Sequence, residues 1–323
     1  MATSRVWRPQ AIEGPFRPRL EQVTELNQVF SDSFTERYRR DGMVGVRVPF
    51  LNPAIWRYAI EDADAGAMLW RDDRGHIVAF NMVHRSGAEG WMGPLAVRTE
   101  YQGAGIGKEI VTRGIEWLKA QGASVIGLET MPRTMDNIGF YSRLGFLPGR
   151  LTITTTIDAA YGDAPAQLLS RLTPRARDDA LIACRELVSR LLPGYDYTRE
   201  ITLTADLALG DTALLYQRDR LVGFALAHNA PLVEGRVREE LRVLKLAVVD
   251  EAHLEPLVRA VADFARRGGT RRVALRLQGE FLGAYQRLIA LGGHVRWTDL
   301  RMSLTDYEEK RPDRGLVLSN WEI

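Results

Sequence analysis

The second half of this chain weakly repeats the first half, and this repeat limits the possible folds more than any other feature. Three short motifs recur in the same order, at offsets between 144 and 151 residues: Trp70–Arg74 with Tyr216–Arg220, Leu95–Val97 with Leu246–Val248, and Tyr141–Leu144 with Tyr285–Leu288. Matches that keep both their order and their spacing indicate a duplicated fold.

The length agrees with two domains, because 323 residues correspond to two units of roughly 100–200 residues each. The stretch Ala159–Pro174 is rich in Gly, Pro, Ala and Ser, which is typical of a linker. We therefore predict one domain over residues 1–160 and a second over residues 161–323.

The first half alternates strand and helix patterns. Helical spacing of apolar residues predicts a helix from Leu20 to Arg39. A hairpin is predicted from Ala67–Trp70 and Ile77–His84, which flank a charged turn that ends in glycine. The next predicted strand, Trp91–Val97, contains Pro94, which cannot donate to a ladder and indicates a bulge or a splayed strand.

A glycine-rich turn, Gln102–Lys108, precedes the next helix, whose apolar stripe runs from Ile106 to Leu118. We expect further elements after it: a strand at Ser124–Glu129, a short helix at Asn137–Leu144, and one or two strands within Phe146–Ile157. The predicted class is α/β (α+β), with two mixed, largely antiparallel sheets flanked by helices.

The turn Gln102–Lys108 is a candidate pyrophosphate cradle. Unpaired N–H groups at a helix N-terminus favour an anion, and glycine lets a phosphate approach the backbone. A P-loop is excluded because Gly107-Lys108 is followed by Glu109, and the dinucleotide pattern fails because its last glycine is missing. The pattern Q/R-x-x-G-x-G/A is complete, with Gln102, Gly105 and Gly107.

With this pattern, the segment Pro94–Gly107 resembles the pyrophosphate motif of the GNAT superfamily of acyl-CoA N-acyltransferases. Tyr141–Phe146 resembles the second motif of that family, and the resemblance is strong over residues 65–150. One departure concerns the position seven residues before the tyrosine, where the family often has Asn. This chain has Thr134 there and Asn137 three residues later.

The resemblance implies that acetyl-CoA binds between two strands that splay apart near Pro94. Backbone groups of Leu95 and Val97 would bind the pantetheine arm, and an N–H near Val97 would stabilise the oxyanion. The residues that the resemblance assigns to cofactor binding are Leu95, Ala96, Val97, Gln102, Gly103, Ala104, Gly105, Ile106, Gly107, Lys108 and Asn137.

The resemblance also assigns a general acid, because a tyrosine at the position of Tyr141 commonly protonates the leaving thiolate in that family. The alternative is that Tyr141 packs in the core. Glu129 and His84, at strand ends, are candidate bases, against a solvated or ion-paired carboxylate and a satisfied surface histidine. A water relay without a single base is a further alternative. Trp70, Phe80 and Trp91 are candidate acceptor-site residues or core residues.

Other function classes find little support in the composition. A net charge of +2 gives no long-range attraction to nucleic acid or membrane. The basic segments Arg37–Arg40 and Arg266–Arg272 indicate solvated helix faces, with an anionic ligand as the alternative. The histidines and the single cysteine, Cys184, lack metal-ligand spacing. With no signal peptide after the polar Met1–Arg8 and no apolar span, we expect a cytoplasmic protein.

The repeat has one gap, because Leu254–Val258 stands in the second half where the first half has its glycines. We therefore predict a tandem N-acetyltransferase whose second copy has lost the cradle. The expected acceptor is a small-molecule primary amine. The alternatives are an acyl-CoA sensor without catalysis and a scaffold protein, and the sequence leaves the oligomeric state open.

Overall fold

The computed structural model describes residues 11–163 and 165–322. The polar N-terminal stretch Met1–Arg8 lies outside the described residues. The elements of the first half are β1 (Ile12–Phe16), α1 (Val23–Arg40), α2 (Pro53–Ala63), β2 (Ala67–Asp72), β3 (Ile77–Ser86), β4 (Glu89–Val97), α3 (Ile106–Ala120), β5 (Val125–Thr130), α4 (Met135–Arg143) and β6 (Phe146–Asp158).

The second half repeats this order of elements. Its elements are β7 (Gln167–Leu168), α5 (Pro174–Leu191), α6 (Thr198–Asp206), β8 (Gly210–Gln217), β9 (Arg220–His228), β10 (Glu240–Val248), α7 (Leu254–Arg267), β11 (Arg272–Gln278), α8 (Leu282–Ala290), β12 (His294–Leu304) and β13 (Leu316–Ser319). Apart from β13, each strand and helix after β7 has a counterpart between β1 and β6. The mixed α/β class with flanking helices is thereby confirmed, as is the duplication.

The two predicted sheets are joined into one. Within the described residues the strand order is β1-β2-β3-β4-β5-β12-β6-β11-β10-β9-β8-β7, and β13 pairs with β10. The last strand of the first half, β6, and its counterpart in the second half, β12, are therefore exchanged. β12, from the second half, pairs with β5 of the first half, and β6 pairs with β11 of the second half.

Local sequence explains where several of these helices begin. Pro53 and Pro174 occupy the first turns of α2 and α5, where a missing N–H costs nothing. The side chains of Asn52 and Thr173 cap those helices by accepting backbone N–H groups. No described helix is both long enough and apolar enough to cross a membrane.

Helices cover both faces of the sheet. In the first half, α1 and α2 pack on one face, and α3 and α4 pack on the other. One core cluster combines Ile55 and Trp91 of the first half with Leu187, Phe224 and other residues of the second half. The two halves therefore share apolar interior as well as strands.

Candidate active site

The predicted strand splay lies beside Pro94. β4 pairs in parallel with β5 only as far as Met92, which lies opposite Leu128. On its other side, the pairing of β4 with β3 shifts register between Asn81 and Val83, as expected for a bulge at proline. Among the described residues, the segment from Gly93 to Val97 consequently has no strand partner on the β5 side. Its backbone is open to a ligand there.

The turn Gln102–Lys108 lies next to this open edge. Gly105 is the N-cap residue of α3 with φ +90°, and Gly103 has φ +83°. A Cβ atom placed on either glycine would meet no atom within 4 Å, so the backbone of the turn faces free space. Because the first N–H groups of a helix have no partner within it, the turn presents several donors toward that space.

A cavity of about 490 Å³ lies between the turn, the open edge of β4, the C-terminal half of α1, and α4. Most of the residues predicted to bind the cofactor line it: Leu95, Ala96, Val97, Gln102, Gly103, Gly105, Gly107, Lys108 and Asn137. Ala104 is exposed at the tip of the turn, and the side chain of Ile106 is buried in the core below it.

Hydrogen bonds fix the side chains at the junction of turn and strand. The carbonyl oxygen of Val97 accepts from Gln102 Nε2 at 3.0 Å and from Ser33 Oγ at 3.2 Å. Asn137 Nδ2 lies 3.5 Å from Thr130 Oγ1 at the end of β5. The cavity wall is therefore fixed on the side of β4, and Asn137 of α4 lies next to the end of β5.

Tyr141 lines the same cavity from α4. Its ring packs against Phe140 and, edge to face, against Phe146, with centroids 6.1 Å apart in the second pair. Burial raises the pKa of Tyr141, because the phenolate would lose its hydration. The hydroxyl therefore stays protonated at neutral pH, as a proton donor must.

Glu129 lies in a buried cluster of charges rather than on the cavity wall. Arg276 of β11 lies 2.5 Å away, Arg301 of β12 lies 3.7 Å away, and Thr152 donates to it. Burial alone would raise the pKa of Glu129, but the two arginines and Thr152 together hold it below its usual value. A carboxylate held ionised in this way is a weak proton acceptor, so the geometry favours a structural role.

The other candidate base and the aromatic candidates lie inside the protein. His84 is fully buried, with Nδ1 2.6 Å from Asp62 and its ring stacked on Trp91 at 4.0 Å. Trp70 and Phe80 are also fully buried. Core packing, the alternative stated for the aromatic residues, describes the positions of Trp70, Phe80 and Trp91, whereas the surface position stated as the alternative for His84 is wrong.

Sequence reasoning missed the contribution of α1 to this cavity. Ser33, Phe34, Glu36, Arg37 and Arg40 line it, although they precede the glycine-rich turn by more than sixty residues. The basic segment Arg37–Arg40 was the available signal, since an anionic ligand was one interpretation of it.

The second half closes the edge that the first half leaves open. Lys245–Val248 of β10, which corresponds to the end of β4, pairs antiparallel with β13 from Ser319 to Leu316. His253, Leu254 and the following residues begin α7 where the glycine turn would lie, with Pro256 inside its first turn. Among the described residues, the second copy thus has no open strand edge where it corresponds to the end of β4 and no glycine-rich turn where it corresponds to Gln102–Lys108.

The open edge of β4, the glycine-rich turn and Tyr141 are thus brought together at one cavity. Residues 24–146 match the family model described as Acetyltransferase (GNAT) family. The chain therefore has the GNAT superfamily fold, and this first-half region carries the family's domain. A search of curated protein sequences returned no match.

Solved structures share the fold over nearly the whole chain. A GCN5-related N-acetyltransferase from Sphaerobacter thermophilus is 16% identical, with a TM-score of 0.55 over 95% of this chain and 97% of that one. A tandem GNAT protein from the clavulanic acid biosynthesis pathway is 12% identical, with a TM-score of 0.56 over 91% and 98%. N-myristoyltransferase from Saccharomyces cerevisiae, with bound myristoyl-CoA, is 10% identical, with a TM-score of 0.62 over 96% and 82%.

Proposed function

We propose that this protein is an N-acetyltransferase that transfers the acetyl group of acetyl-CoA to the primary amine of a small molecule. One observation carries the proposal: the open edge of β4, the glycine-rich turn and Tyr141 all border one cavity of about 490 Å³. Each of the three matches a separate need of the reaction, namely a contact for the pantetheine arm, a phosphate contact and a proton donor.

The residues present fit the donor. N–H groups of Gly103–Lys108 bind the pyrophosphate, because the glycines leave the backbone uncovered. The pantetheine arm binds to Leu95–Val97 in the place of a further strand, through the backbone groups that β5 leaves unpaired. Acetyl-CoA supplies an activated acyl group, in which the thiolate is a good leaving group.

The chemical step forms a C–N bond and breaks the C–S bond of the thioester. The neutral amine nitrogen supplies the electron pair of the new bond, and the sulfur leaves with the pair of the old one. Tyr141 donates its hydroxyl proton to that sulfur and regains a proton from solvent. The proton lost by the nitrogen passes to water in the cavity, since Glu129 is held in a buried ion pair with Arg276 and His84 is buried against Asp62, and neither lines the cavity.

We also propose that the second copy binds no donor. Its equivalent strand edge is used by β13, and the segment Leu254–Val258 that stands in place of its glycine turn contains no glycine. One molecule of acetyl-CoA per chain follows. The second copy then acts through the strands and the core that it shares with the first.

The test is calorimetric titration of the purified protein with acetyl-CoA and with CoA. We expect one site per chain. Gly105→Glu should abolish binding, because its side chain fills the open space at the turn. Gly122→Glu is the matched control, since Gly122 lies beyond the other end of α3 at φ +75°, with nothing within 4 Å of its Cβ position. Both substitutions carry a similar backbone cost of about 1–2 kcal/mol.

Wild-type protein that binds neither ligand would refute the proposal, and so would equal binding by both glutamate variants. Two sites per chain would refute the assignment of the second copy. Binding should be followed by a screen of small amines with thiol release as the readout. Myristoyl-CoA belongs in that screen, because N-myristoyltransferase shares the fold. Binding without turnover on any amine would indicate a sensor.

A further inference from the structure

The three arginines at the C-terminal end of α1, Arg37, Arg39 and Arg40, have different surroundings. Arg39 points away from the cavity, is 63% exposed and pairs with Glu36. Arg37 and Arg40 line the cavity. A cluster of arginines in a last helical turn is commonly explained by the helix dipole, but the dipole gives no reason for two of the three to border a cavity opposite a glycine-rich turn.

Arg37 is used within the protein. Its guanidinium binds Asp41 in the next turn and lies 3.2 Å from Asp136 at the start of α4. Asp41 also accepts a hydrogen bond from Thr134. These contacts join the end of α1 to the start of α4 across one side of the cavity. The charge of Arg37 is balanced by two carboxylates, so its role is to position α1.

Arg40 carries charge that is not balanced in this way. Glu36 pairs with Arg39 at 2.7 Å and with Arg40 at 2.9 Å, so one carboxylate faces two guanidinium groups. Hydrogen bonds from Arg39 and then Arg40 lower the pKa of Glu36 to about 2, so the carboxylate is already ionised and cannot gain further charge. The group retains one net positive charge beside the cavity.

Arg40 also touches the glycine-rich turn directly. Its Nη1 donates to Gln102 Oε1 at 3.1 Å, while Gln102 Nε2 donates to Val97 O. An anion lying on the turn is therefore within reach of Arg40, and Gln102 would keep its contact with Val97. A guanidinium suits a phosphate group because its fork of N–H donors matches two phosphate oxygens.

We propose that Arg40 is a further binding residue of this site. It contacts phosphate oxygens of the acyl-CoA donor that receive no hydrogen bond from the backbone of Gln102–Lys108. This inference rests on the proposed function, since it presupposes that the donor occupies the cavity. CoA offers two sources of that phosphate chemistry, the pyrophosphate and the ribose 3′-phosphate. Arg40 lies on α1, so the phosphate site is built from two segments that are far apart in sequence.

The test compares Arg40→Gln with Arg39→Gln in the full-length protein, by calorimetric titration with CoA and with dephospho-CoA, which lacks the 3′-phosphate. Arg39 is the matched control because it is adjacent, basic and paired with the same Glu36. We expect Arg40→Gln to raise the Kd for CoA about 5- to 10-fold, as for a half-exposed charge-assisted contact. Arg39→Gln should change it less than about twofold.

The possible results distinguish the assignment of Arg40 from the proposed function. If Arg40→Gln weakens CoA but not dephospho-CoA, Arg40 binds the 3′-phosphate, and if it weakens both equally, Arg40 binds the pyrophosphate. Either result supports the proposal. If wild-type protein binds CoA and the two variants bind it equally well, the assignment of Arg40 is refuted while the proposed function stands. If wild-type protein does not bind CoA, both are refuted. Unchanged circular dichroism and Tm confirm that the variants are folded.

Discussion

Replacing Arg276 by methionine should destabilise the protein strongly at neutral pH. The guanidinium lies 2.5 Å from Glu129, 3.0 Å from Asp299 and 2.8 Å from Glu322. The first two carboxylates are at most 4% exposed. Removing one partner of a buried ion pair leaves an uncompensated charge and costs about 3–5 kcal/mol. Since Glu129 keeps Arg301 at 3.7 Å, we expect the lower part of that range, about 3 kcal/mol.

The pH dependence of this cost distinguishes charge from packing. In the wild type, the arginines and Thr152 outweigh burial and hold the pKa of Glu129 below 4.5. Its ionised form therefore adds stability above that pH, and this is lost as the pH falls through the folded pKa. Without Arg276, we expect burial to raise the pKa of Glu129 in the folded protein. In the unfolded chain Glu129 still ionises freely at neutral pH, so the unfolded state is favoured there. Lowering the pH then neutralises the buried group and reduces the cost.

The measurement is urea unfolding followed by tryptophan fluorescence, at about pH 7.5 and about pH 5, where the linkage predicts a smaller loss for the variant at the lower pH. Arg296→Met is the control, because Arg296 is an exposed arginine on β12, which β6 separates from β11, and should change stability by less than about 0.5 kcal/mol. A loss below about 1 kcal/mol, or one equal at both pH values, would refute this account of the charge cluster.

Three further predictions concern the proposed acid and the exchanged strands. Tyr141→Phe should lower kcat about 100-fold with an unchanged Kd for CoA, whereas Tyr285→Phe, its counterpart in the second half, should leave thiol release unaffected. Because burial raises the pKa of Tyr141 above 10.0, the wild-type rate should show no loss from ionisation of Tyr141 up to about pH 9. A decrease of the rate at a pH below about 9 that is absent from Tyr141→Phe would contradict the assignment. A fragment of residues 1–160 should fail to fold, since β5 and β6 lose β12, while co-expression with residues 161–323 should restore a complex on size exclusion. A cooperative melt of the fragment alone would argue against strand exchange.

The cavity beside the glycine-rich turn could be predicted from sequence because most of its wall is local. Gln102, Gly105 and Gly107 lie within one turn, and the spacing of a strand, a glycine-rich turn and a helix dictates what such a segment presents to solvent. Pro94 marked the splay for a similarly local reason, since a missing N–H interrupts a ladder wherever it falls. The residue types in these segments determine their own geometry.

The remainder of the site depends on contacts between distant segments. Arg40 meets Gln102 across 62 residues, and Arg276 meets Glu129 across 147. Glu129 was a candidate base because it ends a strand beside the splay, and only its distant partners show that its charge is already engaged. The exchange of β6 and β12 was equally hidden, because both strands alternate in the same way and pairing partners are not encoded in a strand's own period.

The second copy has lost the features for binding a donor, yet the first copy depends on it for its sheet. β12 lies between β5 and β6, so the strand that carries Glu129 has its outer neighbour from the second half. The segment that follows β13 reinforces this arrangement. The ring of Trp321 packs on Gly127, where a Cβ atom would lie 2.1 Å from it, and Trp321 Nε1 donates to Glu89 at 2.7 Å. The C-terminal segment thus covers the strand edge of the second copy through β13 and supports β4 and β5 of the first copy through Trp321. Mutations of Trp321 or of β12 should therefore alter donor binding through the positions of β4 and β5, even though no described residue of the second half lines the cavity.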